Sequence, residues 1–344
     1  MTKKSLYALY SNVDRIEPST GDRINEIRLL SRLSEYFDVY YNNEIFNFRG
    51  PACGNSGTLG PNREYDYYYI RHNPAVFHSI RGVRFSFAHP FVQEVFEQAD
   101  ALFVLTENWR RHLLSGSMES ERALEAAYGN ADPHFNCPVI NVGQVYDESF
   151  VLRERNPKKE FALHARMSLG RAFGFYGNLS NDLFPYTAFS ALERLFEEGS
   201  SLDPIISLAG KFRRGSSFTG KNVIYLGQIP YDDMPSLLRA SCATLTNESE
   251  LNNTLGNQKT LDSMSLGVPV MCSKLDTFVW HLGDDYPFFY ESENEAYNKA
   301  KVLTFDDDAR VEVGRALAER ALSKFSFSVW RDELGRQLKE HGFY

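Results

Sequence analysis

Apolar and polar positions along the chain alternate between two periods. Residues 5–10 (SLYALY) form a short, nearly continuous apolar run, the pattern of a strand buried on both faces. Ile24, Ile27, Leu30, Leu33, Tyr36 and Phe37 then recur at helical spacing and predict a helix over 23–37, with a strand following in DVYY. Gly21 and Asp22 stand at the entrance of that helix, which makes a β-loop-α-β unit. Strand-like pieces follow at YDYYYI and RFSFAH. A helix is expected over 91–99, a strand over 101–106, a helix from about Asn108, and a strand and turn in CPVINVGQVY. Alternation of this kind predicts a mostly parallel sheet with helices on both faces.

The pattern breaks at LRERNPKKEFALHARMSLGRA, a charged segment without a strand signal, which reads as an interdomain connection. It then restarts with a strand in FGFYGN, a helix over 186–198, and strands in PIISLAG and NVIYLG. A helix over 231–239, a strand in ATLTN, a helix over 259–266 and a strand in VPVMCS complete the second half. At the C-terminus, Phe327, Trp330, Leu334 and Leu338 are spaced by three and four, which fits a terminal helix with an aromatic anchor. Two successive α/β halves is the architecture this implies.

Length agrees, since 344 residues exceed the usual single domain. The apolar fraction of 43% is that of an ordinary globular chain. A net charge of −8 argues against a general nucleic-acid binder, which needs a basic face. Cys53, Cys137, Cys242 and Cys272 lack the paired spacing of a zinc site or a disulfide framework, which fits a reducing compartment. No run of 18 apolar residues occurs and the N-terminus lacks a signal-peptide pattern, so a cytoplasmic location is expected.

The most suggestive chemistry lies in ESELNNTLGNQKTLDSMSLGVPVM, residues 248–271. Polar, turn-prone residues give way there to an amphipathic helix that ends at Gly267. A helix N-terminus presents unpaired N–H groups and partial positive charge, and so receives phosphate readily. Asn253, Thr254, Leu255 and Gly256 would offer backbone N–H groups, Lys259 a full charge, and Asp262, almost one turn further on, a carboxylate for two ribose hydroxyls. The plainer alternative is a polar connection that only caps the helix. The acidic runs FDDDAR, YDDMP and GDDYP read as turns or caps, so no catalytic metal is expected.

Taken together, GDRINEIRLLSRLSEYFDVYY, ADALFVLTENWRRHL, VINVGQVYDESF, the 248–271 stretch and FSFSVWRDEL stand in the order found in GT-B glycosyltransferases. The chain resembles the family 4 (group 1) nucleotide-sugar-dependent enzymes. The resemblance implies an α/β GT-B fold, with two Rossmann-like domains facing each other across a cleft. They would be an acceptor-side domain over 1–155 and a donor-side domain over 156–325, with a terminal helix over 326–344 crossing back to the first domain.

The implied reaction moves a sugar from a nucleotide-diphosphate sugar to a hydroxyl of a glycan, glycolipid or glycoprotein. It would need no metal and no cofactor beyond that co-substrate, and would retain configuration. An epimerase on the same fold and a catalytically silent nucleotide-sugar-binding subunit are the alternatives. Peripheral association with the inner face of a membrane stays open, and no nucleic acid is implied.

The resemblance also distributes roles. Gly21 would face the transferred sugar or phosphate. Gly177 and Asn178 occupy the place where the family has Gly-Arg, and Lys211 is a replacement for a family lysine. Ile229, in GQIP, falls where the nucleobase is gripped. Of the family's two glutamates eight positions apart, Asp262 takes the second place and Thr254 falls on the first, leaving Glu248 or Glu250 to compensate. Were the reaction inverting, His89 at a strand end would be the first choice for a base.

Overall fold

The computed structural model describes residues 3–11, 15–16, 21–46, 52–53, 60–87, 98–115, 137–167, 171–199, 202–213, 215–248 and 256–344. The chain divides into two compact units, one of residues 1–145 with 327–344 and the other of residues 146–326.

The first unit is built on β1 (Lys4–Tyr10), β3 (Phe37–Tyr41), β4 (Glu44–Ile45), β6 (Tyr67–Arg71), β7 (Val83–Phe87), β8 (Ala101–Val104) and β9 (Val139–Asn141). The sheet order is β4-β3-β1-β6-β7-β8-β9, parallel throughout except for the β3–β4 pair. A small antiparallel pair joins β2 (Arg15–Ile16) to β5 (Ala52–Cys53). Leu6, Tyr7, Ala8 and Leu9 are all fully buried, as expected of a parallel strand covered on both faces. The expected helix over 91–99 falls mostly outside the described residues.

Helix α1 (Gly21–Leu33) breaks its apolar face with two arginines one turn apart, and both have a structural use. Arg32, almost wholly buried, donates to the Val142 and Gly143 carbonyls, and Arg28 donates to Val145 O at 2.7 Å. They satisfy backbone acceptors of the segment leaving β9. Burial, and then the neighbouring Arg28, push the Arg32 guanidinium down to about 9.

The last helix, α12 (Phe327–Glu340), belongs to this unit and buries Leu334 and Leu338. Gln337 clamps β9 with both ends of its amide. Its oxygen accepts from Asn141 N at 2.9 Å and its nitrogen donates to Asn141 O at 3.0 Å. Gly335 permits close approach: a Cβ there would lie 2.3 Å from the Tyr36 hydroxyl, which itself donates to Arg331 O.

The second unit carries β10 (Arg171–Leu179), β11 (Pro204–Phe212), β12 (Val223–Tyr225), β13 (Ala243–Thr246), β14 (Val270–Ser273) and β15 (Phe289–Tyr290), all parallel. Their order is β12-β11-β10-β13-β14-β15, so the winding reverses between β10 and β13. Along β10 the side chains alternate between two cores. Phe173 and Phe175 join Leu192, Ile206, Leu245 and Met264 on one face, and Ala172 and Tyr176 join Leu163, Leu237 and Val268 on the other.

The charged segment expected to be an interdomain connection is instead helical. It begins at the end of α4 (Glu148–Leu152) and holds α5 (Pro157–Arg166), which contributes Leu163 to the second unit's core. Asn156 caps α5 by accepting from Lys159 N, and Pro157 suits the first turn because its missing N–H costs nothing there. Only Leu163 and Glu160 are buried along α5, a stripe too narrow to show as a helical period. Among the described residues no helix is long and apolar enough to cross a membrane.

Replacing Gln337 by Leu strands the Asn141 N–H and C=O in a dry interface. It should lower stability by about 2 kcal/mol. Urea unfolding followed by tryptophan fluorescence checks this, and an unchanged midpoint would remove the clamp from the account.

Candidate active site

At the carboxyl end of β10 the alternation stops at Gly177, whose φ is +110°. The register places Gly177 opposite Gly210 and Asn178 opposite Lys211. Gly210 has φ +135°, and a Cβ on it would lie only 1.8 Å from the Gly177 carbonyl oxygen. Glycine at 210 is what allows the strands to close in this way. Arg213 N then donates to Leu179 O at 2.9 Å, and Gly210 N to Gly227 O at 2.9 Å. The second bond ties the Gly227–Pro230 turn to the same strand end. Ile229 packs on the core beside Leu226, and Lys211 is exposed.

On the other side of the reversal, β13 leads to Glu248, and the chain re-enters at Gly256 with φ +84°. Helix α8 (Gln258–Ser265) starts there because Asn257 caps it: Asn257 Oδ1 accepts from Thr260 N at 3.0 Å and from Thr260 Oγ1 at 3.1 Å. The Asn257 amide nitrogen donates to the Glu248 carboxylate, so the cap is fixed from behind.

Lys259, in the first turn, is half-buried and reaches from α8 across to β10. Its Cε lies 3.0 Å from the position a Cβ on Gly177 would take, and its ammonium is 5.0 Å from the centroid of the Phe175 ring. Burial lowers its pKa from the ordinary 10.5 and the positive charge of Arg213 adds to this, while Glu248 acts in the opposite direction. Asp262, 8% exposed, sits one turn along and accepts from Gln258 Nε2 at 3.1 Å.

Gly177, Asn178, Lys211, Ile229, Gly256, Lys259 and Asp262 therefore all lie on the carboxyl edge of one sheet or on the helix that follows it. In open α/β sheets the crevice at the winding reversal is where ligands bind, and Lys259 spans that crevice. Its amine and the first turn of α8 supply positive charge for an anion; Asp262 supplies a hydrogen-bond acceptor. Gly21 begins α1 in the other unit. His89, Glu250, Asn253, Thr254 and Leu255 lie outside the described residues.

Two further participants have different histories in the sequence. Asn257 has the residue type of a cap at the right place, so it was legible there. Phe175, whose ring faces the Lys259 ammonium, has only the signature of a core strand residue. Among the described residues no group of three His, Cys, Asp or Glu side chains is placed to hold a metal ion.

Comparisons with known proteins place this geometry. Residues 188–334 match the model of a family described as glycosyl transferase-like. No curated protein matches the sequence. Among solved structures, sucrose-phosphate synthase from Thermosynechococcus elongatus superposes with a TM-score of 0.67 at 10% identity, covering 98% of this chain and 99% of that one. HepE from Anabaena, solved with UDP and glucose, gives 0.66 at 12% identity over 98% and 100% of the two chains. AviGT4, a glycosyltransferase involved in avilamycin A biosynthesis, gives 0.59 at 12% identity over 98% and 97%.

The fold is thus GT-B, two Rossmann-like units in one chain, with the site on the second. Within that fold, residues 188–334 are similar to the glycosyl transferase-like family, and the whole chain superposes on solved glycosyltransferases of the same fold.

Lys259 should give anion binding an unusual pH dependence. Affinity for inorganic pyrophosphate should fall as pH rises through a window below 10.5, because the lysine loses its proton early. Lys259→Arg should flatten the profile, and Lys259→Met should cost on the order of tenfold at neutral pH. Calorimetric titration from neutral to alkaline pH checks both; an identical profile in wild type and Lys259→Arg would exclude the lysine. Gly177→Ala forces a side chain into a left-handed conformation against Lys259. It should cost roughly 1–3 kcal/mol of stability and weaken pyrophosphate as well.

Proposed function

We propose that the protein transfers a sugar from a nucleotide-diphosphate sugar to a hydroxyl of a glycan, glycolipid or glycoprotein, with retention of configuration and without a metal. The observation that carries this reading is the Lys259 ammonium held over the end of β10 at the winding reversal, next to the N-terminus of a capped helix. Departure of a nucleoside diphosphate builds negative charge on the leaving oxygens. Preorganised positive groups stabilise that charge in the transition state more than in the ground state.

In this reading Lys259, Lys211 and the α8 N-terminus face the diphosphate. Asp262 accepts from the ribose hydroxyls, and the turn containing Ile229 grips the base. Asn178 stands where the family carries arginine, which shifts more of the electrostatic demand onto Lys259. The family resemblance assigns Glu250, Asn253, Thr254 and Leu255 to the diphosphate as well. Gly21 and the remainder of the 1–155 region receive sugar and acceptor. A retaining transfer needs no separate base, so His89 is assigned to contact with donor or acceptor rather than to proton abstraction. HepE has been solved with UDP and with UDP-glucose, so uridine nucleotides are the first to try.

Calorimetry with UDP, GDP, ADP, CMP and TDP and their sugar conjugates tests the reading on wild type, Lys259→Met and Asp262→Ala. One nucleoside diphosphate should bind selectively, and each substitution should weaken it by on the order of tenfold. Proton NMR of the product formed with the selected donor should show the donor's own anomeric configuration. Absence of binding by every diphosphate would overturn the assignment of the site, and an inverted product would overturn retention alone.

A further inference from the structure

The amino edge of the same sheet carries a second cationic feature. A cavity of about 410 Å³ opens between the start of β10, at Arg171 and Ala172, and the residues leading into β13, Ser241 and Cys242. Its volume falls within the range of small-molecule sites. Helix α5 contributes Phe161 and His164 to the wall, and Arg239 and Arg310 complete it. Six residue steps of β10 separate Arg171 from Gly177, roughly 20 Å at strand rise, so this cavity is remote from Lys259.

The charges do not cancel. Arg171 and Arg310 share one carboxylate, that of Asp307, with Arg171 Nη2 at 2.9 Å. Glu160, the other acid in the wall, is held by Arg155 through two hydrogen bonds of 3.3 and 2.5 Å. Arg239 spends one N–H on the Phe150 carbonyl at 3.0 Å. Three guanidinium groups against Asp307 and the nearby Asp306, with Glu160 paired to Arg155, leave an excess of one positive charge. Arg171 Nε is buried and has no hydrogen-bond partner. Burial disfavours the charged forms of Arg239 and Arg310; Glu160 opposes this at Arg239, and at Arg310 Cys242 and Asp306 oppose it while Arg171 adds to it. A bound dianion would relieve both and accept from the unused donors. Phe161, 65% exposed at the rim, offers an apolar surface to the carbon part of a ligand.

We propose that this cavity binds a compact dianion, free phosphate or a small phosphate monoester, at a second site of the donor-side unit. It does not depend on the nucleotide reading, because no residue is shared.

The test is a calorimetric titration of the full chain with inorganic phosphate, with glycerol 3-phosphate, and with glycerol as the neutral control, at fixed ionic strength. Wild type should bind a phosphate species with a Kd of about 1 mM or tighter. Equal affinity for both anions identifies free phosphate as sufficient; tighter binding of the ester identifies a monoester site. Arg239→Gln and Ala240→Asp should each weaken binding about tenfold. Phe161→Lys, a surface change that leaves the core intact, should strengthen it roughly threefold by adding a charge at the rim. Lys259→Met should leave it unaltered. The proposal is overturned if neither anion binds, if the three cavity variants bind like wild type, or if Lys259→Met removes the binding. That last result would place the anion at the other end of the sheet, and UDP titrated into the same variants would still report on the nucleotide site independently.

Discussion

The second unit depends on the close approach of two backbones. Gly210 lies so near the Gly177 carbonyl that any side chain would overlap it, and both residues occupy the left-handed half of backbone space. Because the strands close there, the end of β10 presents bare backbone instead of a side chain. Lys259 fills the vacated space from the helix beyond β13. A residue with a side chain at 177 would displace the ammonium, and one at 210 would part the strands. The site's electrostatics thus follow from a steric fact two strands away from the helix that supplies the charge.

The arrangement of α8 adds a second constraint. A helix N-terminus is useful to a ligand only if its own cap does not consume every donor. Asn257 satisfies the third N–H of the helix and uses its amide nitrogen on Glu248. The cap is oriented by the Glu248 carboxylate, which takes the Asn257 amide nitrogen and not an N–H of the helix. The first unit uses the same economy differently. Arg28 and Arg32 direct their N–H groups to main-chain carbonyls at the β9 exit.

Much of this was legible in the sequence because parallel α/β sheets write it plainly. Continuous apolar runs at β1, β10 and β11 and the helical period of α1 have few competing readings. The restart of the pattern at FGFYGN marked the second sheet. Lys259 and Asp262 were visible as types in a fitting order, and a polar cap was expected ahead of them without its residue being singled out. Helix α5 was not, because its buried stripe is two residues wide and its charges mimic a linker. Phe175 was not, because nothing in a core strand announces which aromatic will meet a cation. The cavity below the sheet was invisible as well. Arg171, Arg239 and Arg310 are distant in sequence, and only the winding of β10 against β13 brings them together.

That winding gives both ends of the β10–β13 crevice a reason to be cationic. A sheet whose order reverses leaves neighbouring connections diverging on either side, at its carboxyl edge and its amino edge alike. Diverging connections leave a gap, and a gap lined by polar chain ends must be filled by water, side chains or ligand. At the carboxyl edge the filling group is a lysine from the helix that follows β13. At the amino edge it is a set of arginines, of which one starts β10 itself and another comes from α7 (Met234–Arg239), the helix that precedes β13. The chain as a whole carries a charge of −8, so these two concentrations of positive charge run against its average. Local excess of that kind costs self-repulsion, which an anion at each end would offset. The same topological gap thus recurs at both edges, and the identity of the residues that line it decides what each end can hold.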